Sequence, residues 1–96
     1  LEDFPDTPTI EEAGNLEGFQ AIVWYALAGP AGTPEDISDK LNAATNEIMA
    51  REDIAEKMKN LHAIPMGGSR EDAKAFIADE TTRWKAIIAA AGVEPK

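Results

Sequence analysis

The sequence predicts an α/β chain, mostly helical, with one buried strand and one short edge strand. Three observations lead there. Apolar residues recur at helical spacing through residues 34–50, 52–61 and 70–91. An almost unbroken apolar run, FQAIVWYALA, fills residues 19–28. A shorter apolar stretch at 63–66 contains Pro65, which has no N–H to give to a ladder and so permits only an edge position.

Residues 1–8, LEDFPDTP, read as extended, because Pro5 and Pro8 push their predecessors out of the helical region. Thr9 then starts a short helix, with Glu12 placed to complete a capping box, and Gly14 stops it. Residues 1–18 hold six carboxylates and no Lys or Arg, which reads as an acidic, solvated connector. The run at 19–28 carries Phe19, Ile22, Val23, Trp24 and Tyr25, which favour strands. Its lack of alternation implies burial on both faces, as in a central strand.

After the loop GPAGTP at 29–34, Thr33 is the expected N-cap and Pro34 the first helical residue. In the helix that follows, Ile37, Leu41, Ala44 and Ile48 form one apolar stripe, while Asp39, Lys40, Asn42, Asn46 and Glu47 lie on the polar face. A second helix shows Ile54, Met58 and Leu61 on one face, and Lys57 and Lys59 suit its C-terminal end. Gly67-Gly68 is a turn. Ser69 caps the last helix, with Glu71 and Asp72 in its first turn and Gly92 just past its end.

The chain has 96 residues and no cysteine, which excludes a disulfide scaffold, a four-cysteine zinc site and a thiol nucleophile. A net charge of −9 argues against nucleic acid, whose phosphates require Lys and Arg, and against anionic membrane surfaces. No apolar run approaches the ~20 residues of a membrane span. No signal peptide is visible, and the start at Leu1 reads as that of a fragment or a processed product.

Little in the chain points to bond-breaking chemistry. Carboxylate pairs occur at Glu11/Glu12, Glu35/Asp36, Glu52/Asp53, Glu71/Asp72 and Asp79/Glu80, and all but the last fall in first turns of helices, where capping and the helix dipole explain them. His62 is the only histidine and reads as a helix-end residue. The loop at 29–34 lacks the Gly-Lys-Ser/Thr ending of a phosphate loop. No catalytic residue, metal ligand or cofactor site is expected. Trp24 and Tyr25 are the candidate ligand-binding residues, set against a simple packing role for both.

Several segments, in order, resemble one known family. Phe4-Pro5-Asp6-Thr7-Pro8-Thr9 and Glu12-Ala13-Gly14 are similar to its PDVPTVAEAG stretch. Trp24-Tyr25 and Gly29-Pro30-Ala31-Gly32-Thr33-Pro34 are similar to WYGLFAPAGTP, with Ala26 where Gly is usual and Gly29 where Ala is usual. Leu41-Asn42, Pro65-Met66-Gly67-Gly68-Ser69, Phe76-Ile77 with Arg83-Trp84, and Ala90-Ala91-Gly92-Val93 continue the match. The family is the Bug or TctC group, periplasmic solute-binding receptors of tripartite tricarboxylate transporters.

The resemblance implies a type II periplasmic-binding-protein-like fold, of which residues 1–96 would be the C-terminal third, within domain 1 of a two-domain receptor. It implies no enzyme activity. It implies capture of a small carboxylate or related metabolite, delivery to membrane permease subunits and a periplasmic location. Self-association is expected through apolar faces left exposed. The alternative, from a different class, is a free-standing helical protein-interaction domain with no small ligand.

Overall fold

The computed structural model describes residues 2–95. They form four helices, α1 (Ile10–Gly14), α2 (Glu35–Met49), α3 (Glu52–Asn60) and α4 (Arg70–Ala91). Contacts divide the chain into two units, Leu1–Ala31 and Gly32–Lys96.

The first unit is a single short helix followed by extended chain. Thr9 and Glu12 form the expected capping box: the Thr9 hydroxyl accepts from the Glu12 N–H at 3.2 Å, and the Glu12 carboxylate accepts from the Thr9 N–H at 3.1 Å. Asn15 ends the helix in the left-handed conformation, φ 51°, which Asn tolerates better than most residues. The Gly18 N–H donates to the Glu11 carboxylate at 2.9 Å and folds the turn back on α1.

Residues 19–28 are the main departure from the sequence reading. The expected buried strand does not form: no strand occurs among the described residues. Val23 is 84% exposed and Tyr25 96% exposed, and only Trp24 is half-buried. The expected edge strand at 63–66 is likewise absent, with Ile64 and Met66 exposed. The α/β assignment and the sheet-containing, type II periplasmic-binding-protein-like fold are therefore corrected to an all-helical arrangement with an extended apolar segment. The physical reason lies in pairing. A strand is held by hydrogen bonds to a neighbour, and an apolar run specifies burial without supplying the neighbour that would complete it.

In the second unit the helices lie within a residue or so of their expected ranges, but α2 faces the other way. Thr33 is not its cap; Pro34 takes the N-cap position, the helix starts at Glu35, and no side chain closes that end. The apolar stripe remains in solvent, with Ile37, Leu41 and Ile48 at 46, 52 and 45% exposure. Its polar face makes the attachments. Asn46 accepts from the Gly68 N–H at 3.1 Å and donates to the Gly68 carbonyl at 2.8 Å, and Asn42 donates to the same carbonyl at 3.2 Å. Arg70 pairs with Asp39 at 2.8 Å and reaches Glu35 at 3.7 Å.

The turn between α3 and α4 is built for this contact. Gly68 has φ 133°, and a Cβ there would lie 3.0 Å from the Asp72 carboxylate. A Cβ on Gly67 would lie 3.1 Å from the Asn46 side-chain oxygen. Ser69 and Asp72 then form a second capping box, with both reciprocal bonds at 3.0 Å. These bonds from Ser69, its backbone N–H first, hold the Asp72 carboxyl below the ordinary aspartate value of 3.8. Hydrogen bonding to Asp39 holds the Arg70 guanidinium charged.

Helix α3 ends in a Schellman motif. The Ala63 N–H donates to the Met58 carbonyl and the His62 N–H to the Lys59 carbonyl, both at 2.9 Å. His62 occupies the left-handed position, φ 53°, where glycine carries no steric cost.

Two outcomes follow for stability. His62→Gly should relieve the left-handed backbone at the end of α3, a gain of up to about 1 kcal/mol in chemical denaturation set against whatever the imidazole contributes. The contribution of the Asp72 cap is complete above pH 3.8 and is lost as pH falls through its lowered value. Amide exchange at the start of α4 should accelerate there, and Asp72→Asn, which keeps an acceptor oxygen, should remove that pH dependence.

Candidate functional site

Trp24 and Tyr25 lie in the extended segment, adjacent in sequence but unlike in surroundings. Trp24 is half-buried, and Tyr25 projects almost wholly into solvent. Neither lines the shallow groove between α1 and residues 18–22, where Ile10, Glu11, Phe19 and Ile22 meet. A second shallow depression, at the start of α3, is lined by Arg51, Glu52, Asp53 and Glu56. Three carboxylates around one guanidinium repel an anion. That guanidinium already forms a fork with Asp53, at 2.7 and 3.0 Å.

The same commitment applies to every arginine. Arg51 serves Asp53, Arg70 serves Asp39 and Glu35, and Arg83 serves Glu80. No arginine is set aside for an external carboxylate. Recognition of an acid by this chain would therefore fall to backbone N–H groups, hydroxyls, lysines or water. The first turn of α2 carries Glu35 and Asp36, which oppose an anion at its otherwise favourable end.

Glu80 is the one buried residue among those described, at 6% exposure. Its carboxylate accepts from the Arg83 guanidinium and, at 3.2 Å, from the Trp84 indole N–H. Positions i, i+3 and i+4 on one helix make this fork possible. It fixes the Trp84 ring and neutralises the buried acid. Sequence reasoning treated Glu80 as one half of a carboxylate pair and missed this role. The signal was present in the spacing Glu80-x-x-Arg83-Trp84. It likewise placed Asn42 and Asn46 on a polar face without a partner, although two amides one helical turn apart are suited to grip the backbone of a single residue.

Among the described residues no group of His, Cys, Asp and Glu is placed to hold a metal ion, and no helix is long and apolar enough to cross a membrane. His62 stands at the end of α3, as expected, and serves the backbone turn described above.

Comparison with known proteins supplies the context that the geometry lacks. Residues 1–93 match the family described as the tripartite tricarboxylate transporter family receptor, TctC. A protein of the UPF0065 group encoded in the tcbD-tcbE intergenic region of Pseudomonas sp. strain P51 is 37% identical over 84 residues, which is 88% of this chain and 25% of that protein. Protein BugT of Bordetella pertussis is 33% identical over 93 residues, 97% of this chain and 28% of BugT. A further UPF0065 protein of Bordetella pertussis is 32% identical over 96 residues, the whole chain and 29% of the relative. The chain thus spans about a quarter of the length of these relatives. No solved structure is recognisably similar. With a match from residue 1 to residue 93 and relatives above 30% identity along nearly its whole length, the chain belongs to the TctC family of tripartite tricarboxylate transporter receptors.

Proposed function

We propose that this chain forms part of one domain of a two-domain periplasmic receptor, which captures a small carboxylate or related metabolite for the membrane permease subunits of a tripartite tricarboxylate-type transporter. The family match over residues 1–93 carries this reading. Proteins of this family are solute-binding receptors and not enzymes. In such a receptor, capture exchanges the hydration of the solute for protein hydrogen bonds, and its differential affinity for the closed state drives closure.

The commitment of all three arginines to internal carboxylates supports recognition by neutral donors rather than by guanidinium forks. Trp24 and Tyr25 are the proposed cleft-lining residues of this segment. An aromatic face covers the apolar carbon chain of a metabolite, while the Tyr25 hydroxyl offers one donor. Self-association through the exposed apolar faces belongs to the same reading.

Isothermal titration of the full-length receptor that contains this chain, with succinate and citrate, tests the proposal. A saturable heat from at least one of them is expected, and Trp24→Ala or Tyr25→Ala should weaken binding roughly tenfold. Heats no larger than dilution at millimolar concentrations of both acids would reject carboxylate capture. Unchanged affinity in both variants would remove the aromatic pair from the site.

A further inference from the structure

Helix α2 is attached along one side only. At roughly 100° per residue, Glu35, Asp39, Asn42 and Asn46 fall within an arc of about 60°, and these are the residues that hold Arg70 and Gly68. Ile37, Leu41, Ala44 and Ile48 occupy an equally narrow arc about 160° away, and all four are exposed. A helix of 15 residues draws most of its stability from packing such a face, not from its own backbone bonds. The stripe therefore needs a permanent cover.

Three observations bear on where that cover comes from. Apolar residues make up 44% of the chain, yet among the described residues no apolar side chain is buried. Leu61, Ile64 and Met66 before α4, and Ile87 and Ile88 near its end, stay open as well. A two-fold contact with a second copy covers one patch per protomer, whereas several open patches call for a larger body. The second observation is length. The chain makes up 25, 28 and 29% of three relatives, so in a receptor of their size most of the polypeptide lies outside it. The third is composition. The stripe is wholly aliphatic, with Ala44 in its middle, as domain interiors are. Contacts between separate proteins favour Trp, Tyr, Met and Arg and are poor in Ala.

We propose that the Ile37/Leu41/Ala44/Ile48 face of α2 is an interior face of the receptor, covered by the part of the same polypeptide outside residues 1–96. Solute, permease subunits and a second copy then have no access to it. Parts of one polypeptide meet at an effective concentration on the order of millimolar, with no external partner required. The inference rests on the reading of this chain as part of a longer receptor, and it adds which face joins the two parts. Self-association of residues 1–96 follows from leaving that face open.

The full-length receptor, purified without solute or permease, tests it. Leucine is replaced throughout by its diazirine analogue, which has nearly the same shape and on illumination cross-links to whatever touches it. Leu41 should cross-link within the monomer to a peptide outside residues 1–96. A cross-link from Leu41 only to a second copy, or only to residues 19–28, would overturn the proposal, and so would capture of water alone. Ala44→Cys supplies an independent measure, since residues 1–96 contain no other thiol. That thiol should react with a maleimide about a hundredfold more slowly in the native receptor than in denaturant. A native rate within about threefold of the denatured one would show the face open and sink the idea. Neither measurement contains solute, so the two readings fail separately. Open labelling with intact solute binding removes this inference alone, and protected labelling without solute binding removes carboxylate capture alone.

Discussion

The arrangement of the second unit depends on how the backbone of one residue is held. The N–H and carbonyl of Gly68 are both taken by the side-chain amide of Asn46, and Asn42 adds a second donor. A primary amide presents a donor and an acceptor at the spacing of a backbone peptide, so it substitutes for a strand or helix partner where none exists. With Gly68 fixed, Ser69 falls where its hydroxyl caps α4, and Arg70 falls beside Asp39. The two glycines are required because neighbouring side chains already occupy the space a Cβ would fill. No apolar side chain is buried among the described residues. Polar contacts therefore set the direction in which α4 leaves the turn.

This emphasis explains where the sequence was legible. Most local signals were read correctly because the information lies within one turn, although Thr33 does not cap α2. Examples are the capping box at Thr9/Glu12, Ser69 as the cap of α4, the glycine after α4 and the ranges of α2, α3 and α4. Burial was misread wherever it required a partner. The stripe of α2 is unmistakable as a pattern, yet a pattern identifies a face and not what covers it. The run from Phe19 to Ala28 suits a strand by composition, but a strand is a relation between two segments. The Asn42/Asn46 grip and the Glu80 fork were hidden for the opposite reason. Polar residues on a helix read as solvated unless their acceptors, distant in sequence or a turn away, are known.

The candidate site shows the same division. The family was visible from ordered short motifs spread along the chain, and the matched residues 1–93 agree with it. The chemistry of recognition was not visible, because a site built from backbone groups would leave no diagnostic side chain. All three arginines are engaged with the chain's own carboxylates. The acidic surface, with a net charge of −9, would steer an anionic solute away from most of the exterior and toward any shielded cleft.

The segment from Phe19 to Ala28 also bears on how such a chain survives in a cell. It is ten residues long, uncharged and extended, with its side chains largely accessible. Proteases and holdase chaperones grip substrates of that form, because both lay a stretched backbone into a groove and read alternate apolar side chains. Whatever covers this stretch therefore also sets the lifetime of the polypeptide, and variants that uncover it would be cleared before any other defect became measurable.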